Sequence, residues 1–194
     1  MRLVFASNNK NKIREISQML PPTIELLSLD DIGCHDDIPE TANTIEGNAI
    51  LKADYVTTNF GLDCFADDSG LEVDALNGAP GVISARYAGE QRSDADNITK
   101  LLNELEGKAN RQAQFKTVIA LNLGGKQVLF TGIARGQITK EPSGSGGFGY
   151  DPVFKAEGYK HTFAEIDSDE KNRIGHRGIA VRQLIHYLEQ QAEG

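Results

Sequence analysis

The sequence has few cysteines, no long apolar run and no excess of positive charge, and each shortage excludes a class of protein. Only Cys34 and Cys64 occur among 194 residues, and no CxxC or Cys/His spacing surrounds them. We therefore expect reduced thiols rather than a disulfide framework or a zinc site. No apolar stretch approaches a membrane span. Acidic residues outnumber basic ones by 28 to 20, which argues against a broad basic face for a nucleic acid polymer.

The composition that remains is typical of a globular protein. Hydrophobic residues make up 39% and charged residues 25% of the chain. This composition predicts a single domain over residues 1–194 whose core is stable without disulfides or a structural metal. The apolar run near the start is too short for a signal peptide, so we expect a cytoplasmic protein with no membrane partner. The net charge of −8 still permits a small anionic ligand where local cations or a metal reverse the field.

The hydrophobic pattern predicts alternating strands and helices. Strands are predicted at residues 2–6, 23–29 and 62–66, and helices after SNNKNK, at 43–60, between Ser93 and Gly107, and at 176–191. Two long β-rich runs joined by Gly124-Gly125 predict a hairpin, because consecutive glycines accept the positive φ angles of a tight turn. Alternating elements with one hairpin predict an α/β fold with a mixed sheet flanked by helices.

The loop SNNKNK, residues 7–12, lies between the first predicted strand and the following helix. Ligands of open α/β sheets usually bind there, because backbone N–H groups at a helix N-terminus attract phosphate. The loop lacks the GxxxxGK[ST] pattern of a Walker loop. A polar loop that caps its helix through Asn8 or Asn9 also explains the pattern. The loop is therefore a candidate phosphate site, with donors from Ser7, Asn9 and Lys12.

Residues 65–70, FADDSG, place Asp67 and Asp68 side by side after an apolar stretch. Adjacent carboxylates repel each other, and an oxygen-seeking dication such as Mg²⁺ relieves that repulsion. Glu40 or Glu46 could bring a further carboxylate from another loop. Asp-Ser-Gly is also the catalytic triplet of aspartic proteases, but that chemistry needs two such aspartates, so a homodimer would have to supply the second. A turn or helix cap that faces solvent remains an alternative.

The segments FGYDP, residues 148–152, and EKNRIGHRG, residues 170–178, combine aromatic rings with several cations. An aromatic ring on a glycine-rich loop can lie flat on a nucleobase, and Lys171, His176 and Arg177 offer donors to a carbonyl oxygen on the base edge. A core phenylalanine and an exposed helix start would explain the same residues singly. Their combination with the phosphate-type loop favours a nucleotide site.

Five segments resemble the inosine triphosphate pyrophosphatase family in order and approximate spacing. They are SNNKNK, ET with NAILKA, FADDSGLEVDALNGAPGVISARYAG, GFGYDPVF and EKNRIGHRG. The resemblance implies Mg²⁺-dependent hydrolysis of nonstandard purine nucleoside triphosphates such as ITP, dITP and XTP, with cleavage between the α and β phosphates. It also implies a long mixed sheet, two lobes with the active-site cleft between them, a homodimer, and a role in cleansing the nucleotide pool of deaminated purines.

The resemblance also implies a role for each matching residue. Asp68 and Glu40 would bind the metal, and Asp68 would accept a proton from the attacking water, with Asp67 beside it and Lys12 as a further catalytic group. The substrate-binding residues would be Ser7, Asn8, Asn9, Lys10, Asn11, Lys12 and Lys52 at the triphosphate, Ser69 nearby, Phe148, Gly149, Tyr150 and Asp151 as the base platform, and Lys171, His176 and Arg177 closing over the purine.

Two positions depart from the family pattern. The family often has Glu-Asn-Ala before the lysine, whereas Gly47 precedes Asn48 here and the acid lies at Glu46, so we assign no metal role to this helix. The family commonly has Ser before His-Arg, whereas this chain has Gly175. The second departure removes a donor or cap beside the base pocket and bears on base selection rather than on the reaction.

Two other functions remain open from the sequence. A pyrophosphatase of related fold could act on modified pyrimidine nucleotides, and substrate profiling separates it from a purine enzyme. A nonenzymatic nucleotide- or RNA-binding protein could use the same loop and aromatic platform, but it gives no task to Glu40, Asp67 and Asp68. Metal-dependent release of pyrophosphate would decide against it.

Overall fold

The computed structural model describes residues 1–194, which form one six-stranded sheet and five α-helices. The strands are β1 (Arg2–Phe5), β2 (Glu25–Leu27), β3 (Cys64–Val73), β4 (Gln112–Leu123), β5 (Lys126–Ile138) and β6 (Phe154–Ala156). The helices are α1 (Lys10–Met19), α2 (Ile45–Phe60), α3 (Asp94–Leu105), α4 (Ser168–Ile174) and α5 (His176–Ala192). Short 3-10 turns cover Asp30–Ile32, Asp74–Leu76, Gly81–Arg86 and Asp151–Val153.

The sheet is mixed, as the sequence predicts. Its strand order is β2-β1-β3-β4-β5-β6. Strand β1 pairs in parallel with β2 and with β3, whereas β5 and β6 are antiparallel. Parallel pairs need long crossover connections, which α1 and α2 supply, and antiparallel neighbours can be joined by short turns. The predicted α/β fold with a mixed, helix-flanked sheet is confirmed.

Contacts divide the chain into two compact units. Unit 1 comprises residues 1–68, 117–132 and 177–194, and unit 2 comprises residues 69–116 and 133–176. Each unit has a hydrophobic core of its own. The sequence shows no boundary between the units, because each is assembled from separate stretches of chain.

Helix α1 and helix α5 supply much of the core of unit 1. Ile16 of α1 and Leu184 of α5 are fully buried in one cluster with apolar side chains of β1, β3 and β4. Phe5 and Phe65 stack with their ring centroids 4.9 Å apart. Because these strands are pinned by buried aromatic rings, the polar residues that follow Phe5 and Phe65 have fixed positions.

The core of unit 2 is rich in aromatic side chains. Phe115 packs against Phe154 and Phe163, with centroids 4.5 and 5.9 Å away. Leu101 and Leu105 of α3 are buried in the same cluster. The helix that carries them begins as predicted, since the Ser93 hydroxyl accepts a hydrogen bond from the Asp96 N–H at 3.2 Å and so caps the first turn.

The other local predictions are mostly confirmed. Gly124 and Gly125 connect β4 to β5 with φ angles of +57° and +79°, as a tight hairpin turn requires. Both cysteines are buried free thiols. Strand β2 is shorter than predicted, and helix α4 was not predicted. No helix in the chain is both long enough and apolar enough to cross a bilayer.

One boundary prediction is wrong in a way that matters for the site. The third strand does not end at Ala66 but continues through Asp67, Asp68 and Gly70 to Val73. Gly70 is not among the glycines with a positive φ angle, so the Ser-Gly pair makes no turn. Its turn propensity is overridden because the segment belongs to a ten-residue strand of the sheet.

Candidate active site

Asp67 and Asp68 lie inside strand β3 and are 0% and 5% exposed. The alternative of a turn or cap that faces solvent is therefore wrong. Successive side chains of a strand point to opposite faces, so the two carboxylates leave the backbone in different directions. This alternation reduces the repulsion that the sequence suggests, and a metal is not needed for that purpose alone.

Three cations surround Asp67. Lys12 Nζ donates to Oδ1 at 3.3 Å, Arg177 Nε donates to Oδ2 at 3.1 Å, and Lys52 Nζ donates to the Asp67 backbone carbonyl at 2.6 Å. Burial alone would raise the pKa of Asp67, but the charges of Lys12, Arg177 and Lys52 outweigh it and hold the pKa well below its usual value. Asp67 is therefore a permanently ionised anchor for these cations.

Asp68 has a different environment. Its Oδ2 is buried and has no hydrogen-bond partner, and its Oδ1 lies 3.9 Å from Lys52 Nζ. Burial raises the pKa of Asp68 to about 6, against the opposing charges of Lys52 and Lys12 and with a smaller contribution from Glu40. Two neighbouring carboxyl groups whose pKa values are pushed apart are typical of an acid–base site, and Asp68 is the one able to exchange a proton near neutral pH.

Glu40 and Asp68 both lie close to one ammonium group. Lys52 Nζ is 3.3 Å from Glu40 Oε1 and 3.9 Å from Asp68 Oδ1, so one cation already neutralises part of the charge of both carboxylates. The buried, unpartnered Oδ2 of Asp68 is a further oxygen suited to a hard cation. The chain contains no group of three or more Asp, Glu, His or Cys placed to hold a metal. A dication here would therefore need phosphate oxygens or water to complete its coordination.

The loop before α1 is partly used to cap that helix. Asn9 Oδ1 accepts hydrogen bonds from the N–H groups of Asn11 and Lys12 at 3.0 and 3.2 Å, and Ser7 Oγ accepts from the Asn9 N–H at 3.1 Å. The capping interpretation is thus confirmed. Asn8, Asn9 and Lys10 are exposed, and Asn11 is half-buried. A phosphate binding here would meet side-chain donors more than free backbone donors.

Arg177 lies in unit 1 and is 3% exposed. Its Nε donates to Asp67, and its Nη1 donates to Glu15 Oε2 at 2.5 Å. Its guanidinium therefore bridges two carboxylates of unit 1, whereas the resemblance implies a role over the purine. Glu15 was not predicted from the sequence to belong to the site. The available signal was spacing, because Glu15 follows Lys12 by three residues and such residues share a helix face.

Lys171 and Phe148 form a compact pair in unit 2. Lys171 Nζ lies 4.6 Å from the centroid of the Phe148 ring and 2.6 Å from Asp151 Oδ2. The same Asp151 oxygen accepts the Phe148 backbone N–H at 3.0 Å. Asp151 thus orients both the cation and the aromatic loop. Gly147 is needed beside it, because a Cβ there would meet Asp151 Oδ2 at 2.1 Å.

Other predicted base-site residues are built into unit 2. The Tyr150 hydroxyl donates to the Ser84 carbonyl at 2.6 Å, and the residue is 5% exposed. The buried His176 ring stacks on Phe115 at a centroid distance of 4.6 Å. Gly149 has a φ angle of +60°, and its N–H donates to Asp94. Ser69 is half-buried. These contacts fix the loop from which Phe148 projects.

Steric crowding explains why residue 175 is a glycine. Its N–H donates to the Lys171 carbonyl at 2.7 Å, and a Cβ on Gly175 would lie 2.6 Å from that carbonyl oxygen. A serine could be accommodated only if the end of α4 moved. Glycine at this position therefore allows the backbone to approach the Lys171 carbonyl closely. Its effect is on the position of Lys171 and not only on the number of donors near the base site.

Known proteins resemble the chain over almost its full length. The Ham1 family model matches residues 3–187. Proteins named dITP/XTP pyrophosphatase from Flavobacterium psychrophilum and Flavobacterium johnsoniae are each 68% identical over 188 residues, which cover 97% of this chain and 99% and 98% of those proteins. The structure of the Staphylococcus aureus Ham1 protein is 40% identical with a TM-score of 0.91, covering 98% of this chain and all of that one. The chain belongs to the Ham1 family.

Proposed function

We propose that the protein is a nucleoside triphosphate pyrophosphatase that hydrolyses nonstandard purine nucleotides such as dITP, XTP and ITP to the monophosphate and pyrophosphate. The observation that carries the proposal is the contrast between the two buried aspartates of β3. Asp67 is held ionised by cations, while Asp68 has a pKa near 6 and an oxygen without a partner. The names of the relatives, at up to 68% identity, support the same activity.

In the proposed reaction Asp68 accepts a proton from the water that attacks the α phosphorus. The new bond forms between the water oxygen and that phosphorus, the bond to the bridging oxygen of the β phosphate breaks, and pyrophosphate leaves with its electron pair. Lys12 and Lys52 stabilise the charge that develops on the phosphate oxygens. Asp67 keeps both ammonium groups in place through its carboxylate and its backbone carbonyl.

The proposal includes Mg²⁺ as the metal. Glu40 and Asp68 would hold it, and it would supply neutralisation of charge on the leaving pyrophosphate. A hard cation of this kind prefers carboxylate and phosphate oxygens and keeps some of its water, which suits a site with two carboxylates.

The proposed base site is the group around Phe148 in unit 2. The half-buried Phe148 ring offers a stacking surface, and the Lys171 ammonium is a donor held beside it by Asp151. Hypoxanthine and xanthine present an acceptor oxygen at position 6, whereas adenine presents an amino donor there. A donor site therefore favours the oxo bases, because adenine would leave donors facing each other.

The decisive experiment is pyrophosphate release from dITP, dGTP and dATP in parallel, with Mg²⁺ and with chelator. We expect rapid release from dITP with Mg²⁺, slow release from dATP, and none with chelator. Binding of nucleotides without release would contradict an enzyme and favour a nonenzymatic nucleotide-binding protein. A modified pyrimidine triphosphate is assayed alongside these substrates, and faster release from it than from dITP would contradict the purine assignment.

The proposal extends to assembly and location. We propose a cytoplasmic homodimer that acts on free nucleotides rather than on a nucleic acid polymer or a membrane. Light scattering of the full chain should give twice the mass of 21.1 kDa. A monomeric mass with full activity would contradict the dimer while leaving the reaction intact.

A further inference from the structure

The segment from Glu40 to Thr44 is fastened to the first turn of α2. The Ala42 N–H donates to Asn48 Oδ1 at 2.9 Å, and the Gly47 N–H donates to Thr44 Oγ1 at 3.0 Å. Asn48 is completely buried. Two hydrogen bonds, one from each direction, therefore fix the segment against the helix.

Gly47 makes this close approach possible. A Cβ at residue 47 would lie 2.7 Å from Ala42 Cβ and 2.9 Å from Thr44 Oγ1, distances that real Cβ atoms do not adopt. Gly47 lies within α2 and is not among the residues with a positive φ angle. Alanine would favour the helix itself, so the glycine is explained by the contact with the segment rather than by its own backbone conformation.

Asn48 has an unusual hydrogen-bonding state that also points to a positioning role. Its Nδ2 is buried and has no hydrogen-bond partner, a costly state for an amide donor. An apolar side chain would avoid that cost but would lose the bond to Ala42. Asn48 therefore keeps the hydrogen bond to Ala42 although its own amide donor is left unpaired.

The fastened segment carries Glu40, two residues before Ala42. Glu40 Oε1 lies 3.3 Å from Lys52 Nζ, and Lys52 follows Asn48 by one helical turn on the same face of α2. Any displacement of the segment from α2 would change the distance between Glu40 and this cation. The close approach of Gly47 and Ala42 therefore affects the position of Glu40 relative to Lys52 and Asp68.

We propose that Gly47 and Asn48 are positioning residues that set the metal affinity of the site. They do so by holding the Glu40 carboxylate at a fixed distance from Lys52 and Asp68. The inference rests on the proposed function, since it takes Glu40 as a metal ligand. The proposed role explains why glycine is present at residue 47, where the family often has glutamate.

The test uses both sides of the contact. Gly47→Ala adds a methyl group on the helix side, Ala42→Gly removes one on the segment side, and the double variant combines them. Mn²⁺ binding to the full chain without nucleotide is measured by electron paramagnetic resonance. We expect Gly47→Ala to weaken Mn²⁺ binding about tenfold, as is usual when support of a metal ligand is lost, and the double variant to recover most of the loss.

Two results would overturn the inference: wild-type Mn²⁺ affinity in Gly47→Ala, or a loss that Ala42→Gly does not repair. If Gly47→Ala fails to fold, Ala42→Val enlarges the contact from the segment side without altering α2, and unchanged affinity in that variant is equally contrary. Glu40→Gln separates this inference from the proposed function. If Glu40→Gln binds Mn²⁺ as well as wild type does, the metal assignment itself fails. If Glu40→Gln loses Mn²⁺ while Gly47→Ala keeps it, only the positioning role fails.

Discussion

At the scale of single residues, two adjacent aspartates of one strand have opposite electrostatic environments. Asp67 contacts Lys12 and Arg177 directly, whereas Asp68 has a buried oxygen with no partner. Both residues were identified from the sequence, but only the family resemblance assigned them different roles. The physical basis of the difference could not be predicted, because Lys12 and Arg177 lie 55 and 110 residues away from Asp67 in the chain. The difference depends on which cations the fold brings to each face of β3.

The raised pKa of Asp68 predicts a trade-off between stability and activity. Without metal, the folded state keeps this proton up to a pH of about 6, whereas the unfolded state, with the usual aspartate pKa of 3.8, releases it at lower pH. The group therefore stabilises the folded state most at low pH, and this contribution is lost as the pH rises through about 6. At neutral pH the buried charge is a cost that an uncharged side chain would avoid.

We therefore expect Asp68→Asn to be more stable than wild type at neutral pH in chelator, by up to about 3 kcal/mol, and the gain to disappear near pH 4. Turnover should fall about 10² to 10³-fold, by analogy with the loss of one electrostatic group. Urea unfolding at both pH values and pyrophosphate release measure the two effects. A variant that is both less stable at neutral pH and fully active would contradict the role of Asp68.

Glu15 gives a second prediction at this scale. Its carboxylate accepts from the buried guanidinium of Arg177, so Glu15→Gln replaces a charged acceptor by a neutral one of the same shape. We expect a loss of about 1.5 to 3 kcal/mol in the free energy of unfolding, together with slower turnover, because Arg177 orients Asp67. Arg2 and Glu25 form an exposed pair, so Glu25→Gln is a matched control that should change little. Equal effects of the two variants would contradict the positioning role.

At the scale of elements, helix ends and turns were predictable and strand ends were not. Ser93 and the paired glycines at 124 and 125 have local chemistry that specifies a cap and a turn, and both are present. The Ser-Gly pair at residues 69–70 has similar chemistry, yet it continues β3. Long-range pairing decides where a strand ends, and a single sequence contains no direct record of that pairing.

The junction between α4 and α5 supplies an element-scale prediction. A Cβ at residue 175 would lie 2.6 Å from the Lys171 carbonyl oxygen, so Gly175→Ser must move the end of α4 and with it the Lys171 ammonium beside Phe148. We expect the ratio of kcat/KM for dITP over dATP to fall by about tenfold, roughly the value of one lost directional contact. Turnover of dITP at saturation should change less. An unchanged ratio would contradict the proposed link between Lys171 and base selection.

At the scale of the whole molecule, the fold class followed from the order of apolar segments, since alternating elements and one hairpin leave few topologies. The division into two units did not. Unit 1 draws on three separate stretches of chain and unit 2 on two, and no linker marks the change. The proposed phosphate-side residues lie in unit 1, while Phe148, Lys171 and His176 lie in unit 2. His176 is the last residue of unit 2, and Arg177 is the first residue of the following stretch of unit 1. Because the two residues are adjacent in sequence, nothing in the chain indicates that they belong to different units.

The proposed reaction requires water to attack the α phosphorus of a nonstandard purine triphosphate, so that pyrophosphate is the leaving group. Hydrolysis of dITP by the wild-type protein in oxygen-18 water with Mg²⁺ tests it most directly, because mass spectrometry locates the bond that water makes. We expect one oxygen-18 atom in dIMP and none in pyrophosphate. Label in the pyrophosphate, or release of dIDP and inorganic phosphate, would contradict it.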